Sequence, residues 1–192
     1  MTTEKEKMLN GEAYFATDKT LSEDRIHAQT LCHRFNQLEP KQIKAKKQNL
    51  KDLLGKTGKM FYIEPPFRCD YGYNIEIGEN FYANYNLTIL DCAPVRIGDN
   101  VMIAPNVSLF TAGHPIHHEL RNSGLEYANP ITIGNNVWIG GNTVINPGVT
   151  IGDNTVIGSG SVVTKDIPAN VVAVGNPCRI LRAITDDEKL LI

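Results

Sequence analysis

The sequence predicts a mainly β chain: a parallel β-helix of hexapeptide repeats, preceded by a short α-helical segment and interrupted by one extruded loop. Two observations carry the β-helix. Ile133, Ile139, Ile145, Ile151, Ile157 and Val163 follow one another at intervals of six. Four residues after each of the first five stands a small or β-branched residue: Val137, Thr143, Val149, Thr155 or Ser161. A third observation, the lapse of this period before residue 60 and again between Leu109 and Ile131, marks off the other two parts.

A period of six suits neither an amphipathic helix nor a simple alternating strand, but it suits short strands joined by tight turns. One inward aliphatic per hexapeptide builds a stacked core, and three hexapeptides complete a triangular coil. Gly134, Gly140, Gly152 and Gly158 directly follow their aliphatic neighbours, where they are expected to let the chain turn each corner. The same phase holds at Ile97, Ile103 and Leu109, with Val101 and Val107 as companions, and more loosely at Ile77, Ala83 and Ile89. A β-sandwich would show less regular turn signals. Periodicity does not fix handedness, and the usual crossover rule favours a right-handed coil.

Residues 1–60 form the helical segment. Ser22 is placed to cap a helix, with Leu21 and Ile26 as a hydrophobic staple, Glu23 and Asp24 in the first turn, and Leu31 and Phe35 continuing the face. A second helix is expected to start near Pro40, turn Ile43, Leu50, Leu53 and Leu54 inward, and stop at Gly55. Lys44, Lys46 and Lys47 read as a solvated face. Residues 61–192 form the β-helix and a C-terminal tail. Within them, 111–130 (TAGHPIHHELRNSGLEYANP) is dense in Gly, His, Pro and Asn and reads as a loop leaving the prism.

The chain has 192 residues, 42% hydrophobic and 21% charged, enough to bury a core without a metal or disulfide framework. With 19 Lys and Arg against 21 Asp and Glu, the net charge of −2 argues against nucleic acid as a partner. Cys32, Cys69, Cys92 and Cys178 form no CxxC pair and read as reduced thiols. The N-terminus lacks an apolar signal core, and no apolar run is long enough to span a membrane, so a cytoplasmic location is expected.

The stretches CDYGYNIEIGENFYANYN (69–86), TAGHPIHHELRNSG (111–124), ITIGNNVWIGGNTVINPGVTIGDN (131–154), SVVTKDIPANVV (161–172) and GNPCRI (175–180) resemble the maltose and galactoside acetyltransferases. The resemblance spans essentially the whole chain, helical segment included. It implies a left-handed β-helix, an exception to the crossover rule. It also implies transfer of an acetyl group from acetyl-CoA to a hydroxyl of a small sugar, in a homotrimer with sites between subunits and with no metal.

The same resemblance distributes the roles. His114 is the expected catalytic base, since a sugar hydroxyl is a poor nucleophile and imidazole, ionising at about 6.5 in isolation, suits its activation near neutrality. The hydroxyl oxygen then attacks the thioester directly. Asn84 matches a position near the acetyl group, where an amide donor steadies the oxyanion. Asp70 and Asp91 match sugar-contacting positions, and Asp18 matches one more loosely. Cys92 stands where some relatives carry a second aspartate. Trp138 is expected beside the acetyl tunnel. For CoA, backbone near Gly141 and Ser159 would line the pantetheine path, and Thr164, Lys165, Arg179 and Arg182 would meet its phosphates. His117 and His118 read as loop scaffolding.

No GxxxxGK[ST], GxGxxG or GxSxG motif is present, which removes support for nucleotide hydrolysis, hydride transfer and serine hydrolysis. Two alternatives remain. A γ-class carbonic anhydrase would share the coil but needs three well-placed histidine ligands, whereas three of the five histidines here crowd into one loop. A non-catalytic binding protein would have no use for His114 and the cations together.

Overall fold

The computed structural model describes residues 2–190. From Phe61 onward the chain winds as a left-handed parallel β-helix of about 6 turns. Its first face stacks strands Phe61–Ile63, Phe81–Ala83, Met102–Ile103, Trp138–Ile139, Val156–Ile157 and Val171–Val174. The second face stacks Phe67–Cys69, Leu87–Leu90, Ser108–Phe110, Val144–Ile145 and Val162–Val163. The third stacks Ile75–Ile77, Val95–Ile97, Ile131–Ile133 and Thr150–Ile151. Strand Arg179–Ala183 then folds back antiparallel on Val171–Val174 and closes the last coil.

The period-six residues are the core. Ile133 pairs with Ile151, Ile139 with Ile157 and Ile145 with Val163, and all six are at most 1% exposed. Each buried side chain of this size contributes about 1.5–3 kcal/mol, so the stack is the main stabilising term of the domain. Their companions Val137, Thr143, Val149, Thr155 and Ser161 are buried too. The three hydroxyls among them bond carbonyls at the corners, as Thr143 does to Gly140 at 2.7 Å.

The corners turn differently from the expectation. Asparagine supplies most of the left-handed residues: Asn80, Asn100, Asn136, Asn154 and Asn170 have φ between 56° and 62° along the edge joining the third face to the first. Each donates its side-chain amide to the next at 2.9–3.1 Å. Asparagine tolerates this region because its short side chain bonds locally. The repeat glycines answer a different need, close stacking. A Cβ on Gly140 would stand 2.5 Å from the Ser159 nitrogen of the next coil.

The N-terminal segment holds α1 (Glu4–Leu9), α2 (Lys19–Gln37) and α3 (Ile43–Leu53). Its expected details need correction. α2 begins three residues before Ser22, and its cap is Asp18, which accepts from the Leu21 N–H at 3.1 Å. Ile26 is 63% exposed, because the buried face runs through Leu21, Ala28, Cys32 and Phe35. α3 starts at Ile43, itself exposed, and buries Leu50 and Leu53 with Leu54 just beyond. Lys46 is buried on this face beside Asn49, while Lys44 is solvated and Lys47 donates to the Lys59 carbonyl at 2.6 Å.

Residues 111–130 do leave the prism, but not as an irregular loop. They carry α4 (His118–Asn122) and strands Ala112–Gly113 and Leu125–Ala128. The second strand pairs with Ala112–Gly113 on one side and with Tyr14–Phe15 of the N-terminal segment on the other. This small antiparallel sheet ties the helical segment to the extruded loop. No helix among the described residues is long and apolar enough to cross a membrane.

Candidate active site

The edge joining the second face to the third is where the chemistry gathers. Asp70, Asp91 and Thr111 succeed one another there, coil by coil, and the extruded loop leaves from Thr111. His114 directly follows strand Ala112–Gly113. Gly113 is small because Tyr127 lies over it: a Cβ would come within 2.6 Å of the ring. The His114 side chain is 54% exposed, and its Nε2 stands 4.0 Å from Oε1 of Glu126.

Glu126, which the sequence reading did not single out, lies on strand Leu125–Ala128. Its Oε2 accepts from the buried Tyr14 hydroxyl at 2.9 Å. Burial first, with Cys92 and Glu126 nearby, holds the Tyr14 phenol far above its ordinary pKa, so it remains a donor. Asp70 is half-buried beside them. Burial pushes its pKa up, the Cys92 thiol and Arg25 oppose this, and Glu126 reinforces it. Arg25 is fixed by Tyr71 Oη at 2.8 Å and the Ala16 carbonyl at 2.7 Å. Tyr14, Arg25, Asp70, Cys92, His114 and Glu126 thus form one polar cluster. The only sequence sign of Glu126 was an acid inside the strand-like run LEYA.

One expected sugar contact is placed otherwise. Asp91 is fully buried, and its Oδ1 accepts from the Asp70 and Tyr71 N–H groups at 3.0 and 2.8 Å, so it holds the turn after Asp70 instead of facing solvent. Its Oδ2 has no partner among the described residues, and burial pushes its pKa up to about 6. Asp18 spends Oδ1 on the helix cap. Cys92 is also buried, and burial raises its thiol far above the ordinary range, which leaves it a weak donor to Asp70 at 3.5 Å and not a nucleophile.

The remaining candidates divide between places on the prism. Asn84 turns the edge between the first and second faces, with Oδ1 on the Tyr85 N–H at 2.8 Å. Its NH₂ has no partner among the described residues. Gly141 and Ser159 lie on that same edge, where the Gly160 N–H reaches the Gly141 carbonyl at 2.8 Å. Trp138 stands 51% exposed on the first face, in line with Tyr82 and Met102. Arg179 and Arg182 are on the closing strand of that face, and Arg182 already pairs with Glu188 at 2.6 Å. Thr164 and Lys165 are exposed on the other edge, above His114. One chain therefore carries His114 near one edge and Asn84, Gly141 and Ser159 on another. His117 and His118 stack at 4.9 Å, and among the described residues no group of three His, Cys, Asp or Glu could hold a metal.

Such a coil, with an extruded loop and a helical N-terminal segment, is a hexapeptide-repeat β-helix. Residues 7–58 match the maltose acetyltransferase hexapeptide capping motif, and 130–165 match the bacterial transferase hexapeptide (six repeats). The galactoside O-acetyltransferase of Escherichia coli (strain K12) is 53% identical over 184 residues, 96% of this chain and 91% of that protein. The crystal structure of a maltose O-acetyltransferase from Clostridium difficile 630 superposes with a TM-score of 0.95 at 54% identity, covering 96% of this chain and 98% of that one. A galactoside acetyltransferase in complex with coenzyme A gives 0.93 at 53% identity, over 96% and 92%. The chain belongs to the maltose and galactoside O-acetyltransferase family.

Proposed function

We propose that this protein transfers the acetyl group of acetyl-CoA to a hydroxyl of a small sugar of the maltose, glucose or galactoside type, with His114 as the base. The observation that carries the reading is the polar cluster around His114. A half-exposed imidazole stands 4.0 Å from the Glu126 carboxylate, with the half-buried Asp70 carboxylate in the same cluster, and carboxylates accept hydrogen bonds from hydroxyls. His114 takes the hydroxyl proton as the oxygen attacks the thioester carbonyl carbon. The Asn84 NH₂ steadies the resulting oxyanion. Collapse expels the CoA thiolate, which takes the proton back from His114, so sugar and acetyl-CoA become acetyl ester and free CoA. No acyl-enzyme forms, in keeping with a buried, protonated Cys92.

The division of residues between two edges supports a homotrimer. In that arrangement His114, Thr164 and Lys165 of one chain face Asn84, Trp138, Gly141 and Ser159 of the next, and the site is complete only between them. The exposed stripe of Tyr82, Met102 and Trp138 is then covered by the neighbour. Arg179, Arg182 and Lys165 meet the phosphates of CoA at the end of its path.

Free thiol release from acetyl-CoA, measured against a panel of sugars, thiogalactosides and non-sugar alcohols, tests the activity. Transfer to at least one sugar far above the alcohols is expected. Release that no sugar increases would overturn the reading.

A further inference from the structure

Two thiols that acetyl transfer leaves unused meet beneath α2. Cys32 lies on the buried face of that helix, and Cys69, 37 residues on, ends strand Phe67–Cys69. Both are buried, and their Sγ atoms stand 3.6 Å apart in a weak hydrogen bond. A disulfide holds its sulfurs about 2.05 Å apart, so about 1.5 Å separates this contact from a bond. The other two cysteines are engaged elsewhere: Cys92 turns its thiol to Asp70 at 3.5 Å, and Cys178 lies beside Ser161 in the last coil. The pair also has an entry path. Cys32 and Cys69 line a cavity of about 590 Å³ between α2 and the second face, whose walls include the exposed His33 and Arg68. The two sulfurs differ in character. Cys69 donates to Cys32 and Arg68 lies nearby, which lowers the Cys32 pKa against the opposing effect of burial, whereas the same hydrogen bond and burial keep the proton on Cys69. Cys32 is therefore the thiolate of the pair and Cys69 the thiol poised beside it.

We propose that Cys32 and Cys69 are a modification site: hydrogen peroxide joins them in a reversible disulfide that clamps the N-terminal helical segment to the coil. The Cys32 thiolate attacks one peroxide oxygen; an S–O bond forms, the O–O bond breaks, and the departing hydroxide takes up a proton to become water. The Cys69 sulfur then attacks the Cys32 sulfenic acid. The S–S bond forms, the S–O bond breaks, and the hydroxyl leaves as a second water with the Cys69 proton. Two thiols are oxidised and one peroxide is reduced to two waters. A dithiol reverses the change by exchange. The bond joins two elements that both feed the polar cluster, since α2 carries Arg25 and the strand runs directly into Asp70. It also closes a long loop, across 37 residues, and so restricts the unfolded chain. None of this depends on which hydroxyl compound accepts the acetyl group.

The test treats the full-length wild type with hydrogen peroxide, blocks remaining thiols with iodoacetamide in denaturant, and maps its peptides by mass spectrometry without reductant. A linked pair of peptides carrying Cys32 and Cys69 is expected, lighter by two hydrogens than the separate peptides and released by dithiothreitol. In Cys69→Ala the sulfenic acid has no partner, so dimedone should label Cys32; a label on Cys69 in Cys32→Ala, with none on Cys32 in Cys69→Ala, would overturn the order of attack. Thermal unfolding at one protein concentration reads the clamp. The oxidised wild type should unfold about 4–16 °C above the reduced form. Peroxide-treated Cys69→Ala should show no such rise. Absence of the Cys32–Cys69 link in the wild type, or a link formed by other cysteines or between chains in its place, overturns the inference, whether or not the variants fold. A linked wild type that unfolds no higher than the reduced form overturns the clamp.

Discussion

Asp91 offers the sharpest test of how the polar cluster is supported. It is fully buried, one oxygen receives two backbone N–H groups, and the other has no partner among the described residues. Burial lifts its pKa from an ordinary 3.8 to about 6, and the nearby Asp70 carboxylate adds to the rise. An acid whose folded pKa is raised binds its proton more tightly in the native state. Its stabilisation is complete below the unfolded pKa and is lost as pH climbs through the folded one. At about 1.36 kcal/mol per unit, a rise of about two units amounts to about 3 kcal/mol, lost between about pH 4 and about pH 7. Asp91→Asn retains a carbonyl for the two N–H groups and removes the titration. The unfolding free energy of the wild type, relative to the variant, should therefore drop by about 3 kcal/mol across that window. Denaturant unfolding of both proteins at fixed protein concentration, stepped through pH, measures it. A difference that stays flat with pH, or that grows in favour of the wild type, would refute the reasoning.

His114→Ala should lower kcat by about 10²–10⁴ while the KM for acetyl-CoA stays within a few-fold, read by steady-state kinetics, because the residue is exposed and outside the core. Lys165→Ala should raise the KM for acetyl-CoA by about 10–100-fold and leave the sugar KM unchanged, as for a lost hydrogen bond to a phosphate. Mixing inactive His114→Ala and Asn84→Ala proteins after dissociation and reassembly should restore part of the activity, since some shared sites then carry neither change; no recovery would place both residues in one chain's site. Gly98→Ala should destabilise by about 1–3 kcal/mol in thermal or denaturant unfolding, since its Cβ would stand 2.8 Å from the Gly134 carbonyl oxygen of the next coil.

The solenoid and its core were legible in the sequence because each inward aliphatic is set by a local rule that repeats every six residues. Ile133 through Val163 could be assigned to the interior one hexapeptide at a time. The interruption before Ile131 located the extruded loop by the same rule, and with it His114. What followed from contacts distant in sequence was not legible. Glu126 acquires meaning only through Tyr14, 112 residues away, and strand pairing across that separation leaves no trace in either local sequence. Lys46 and Ile43 exchanged their expected burial because the packing of α3 against α2, not its composition, decides which face turns inward. Asp91 looked like a ligand-binding carboxylate, yet the chain after Asp70 folds over it and takes its oxygen for two backbone N–H groups. The three edges of the prism repeat much the same local sequence, so only the winding of the coil fixes which residues share an edge. That winding, a tertiary property, put His114 on one edge and Asn84 on another.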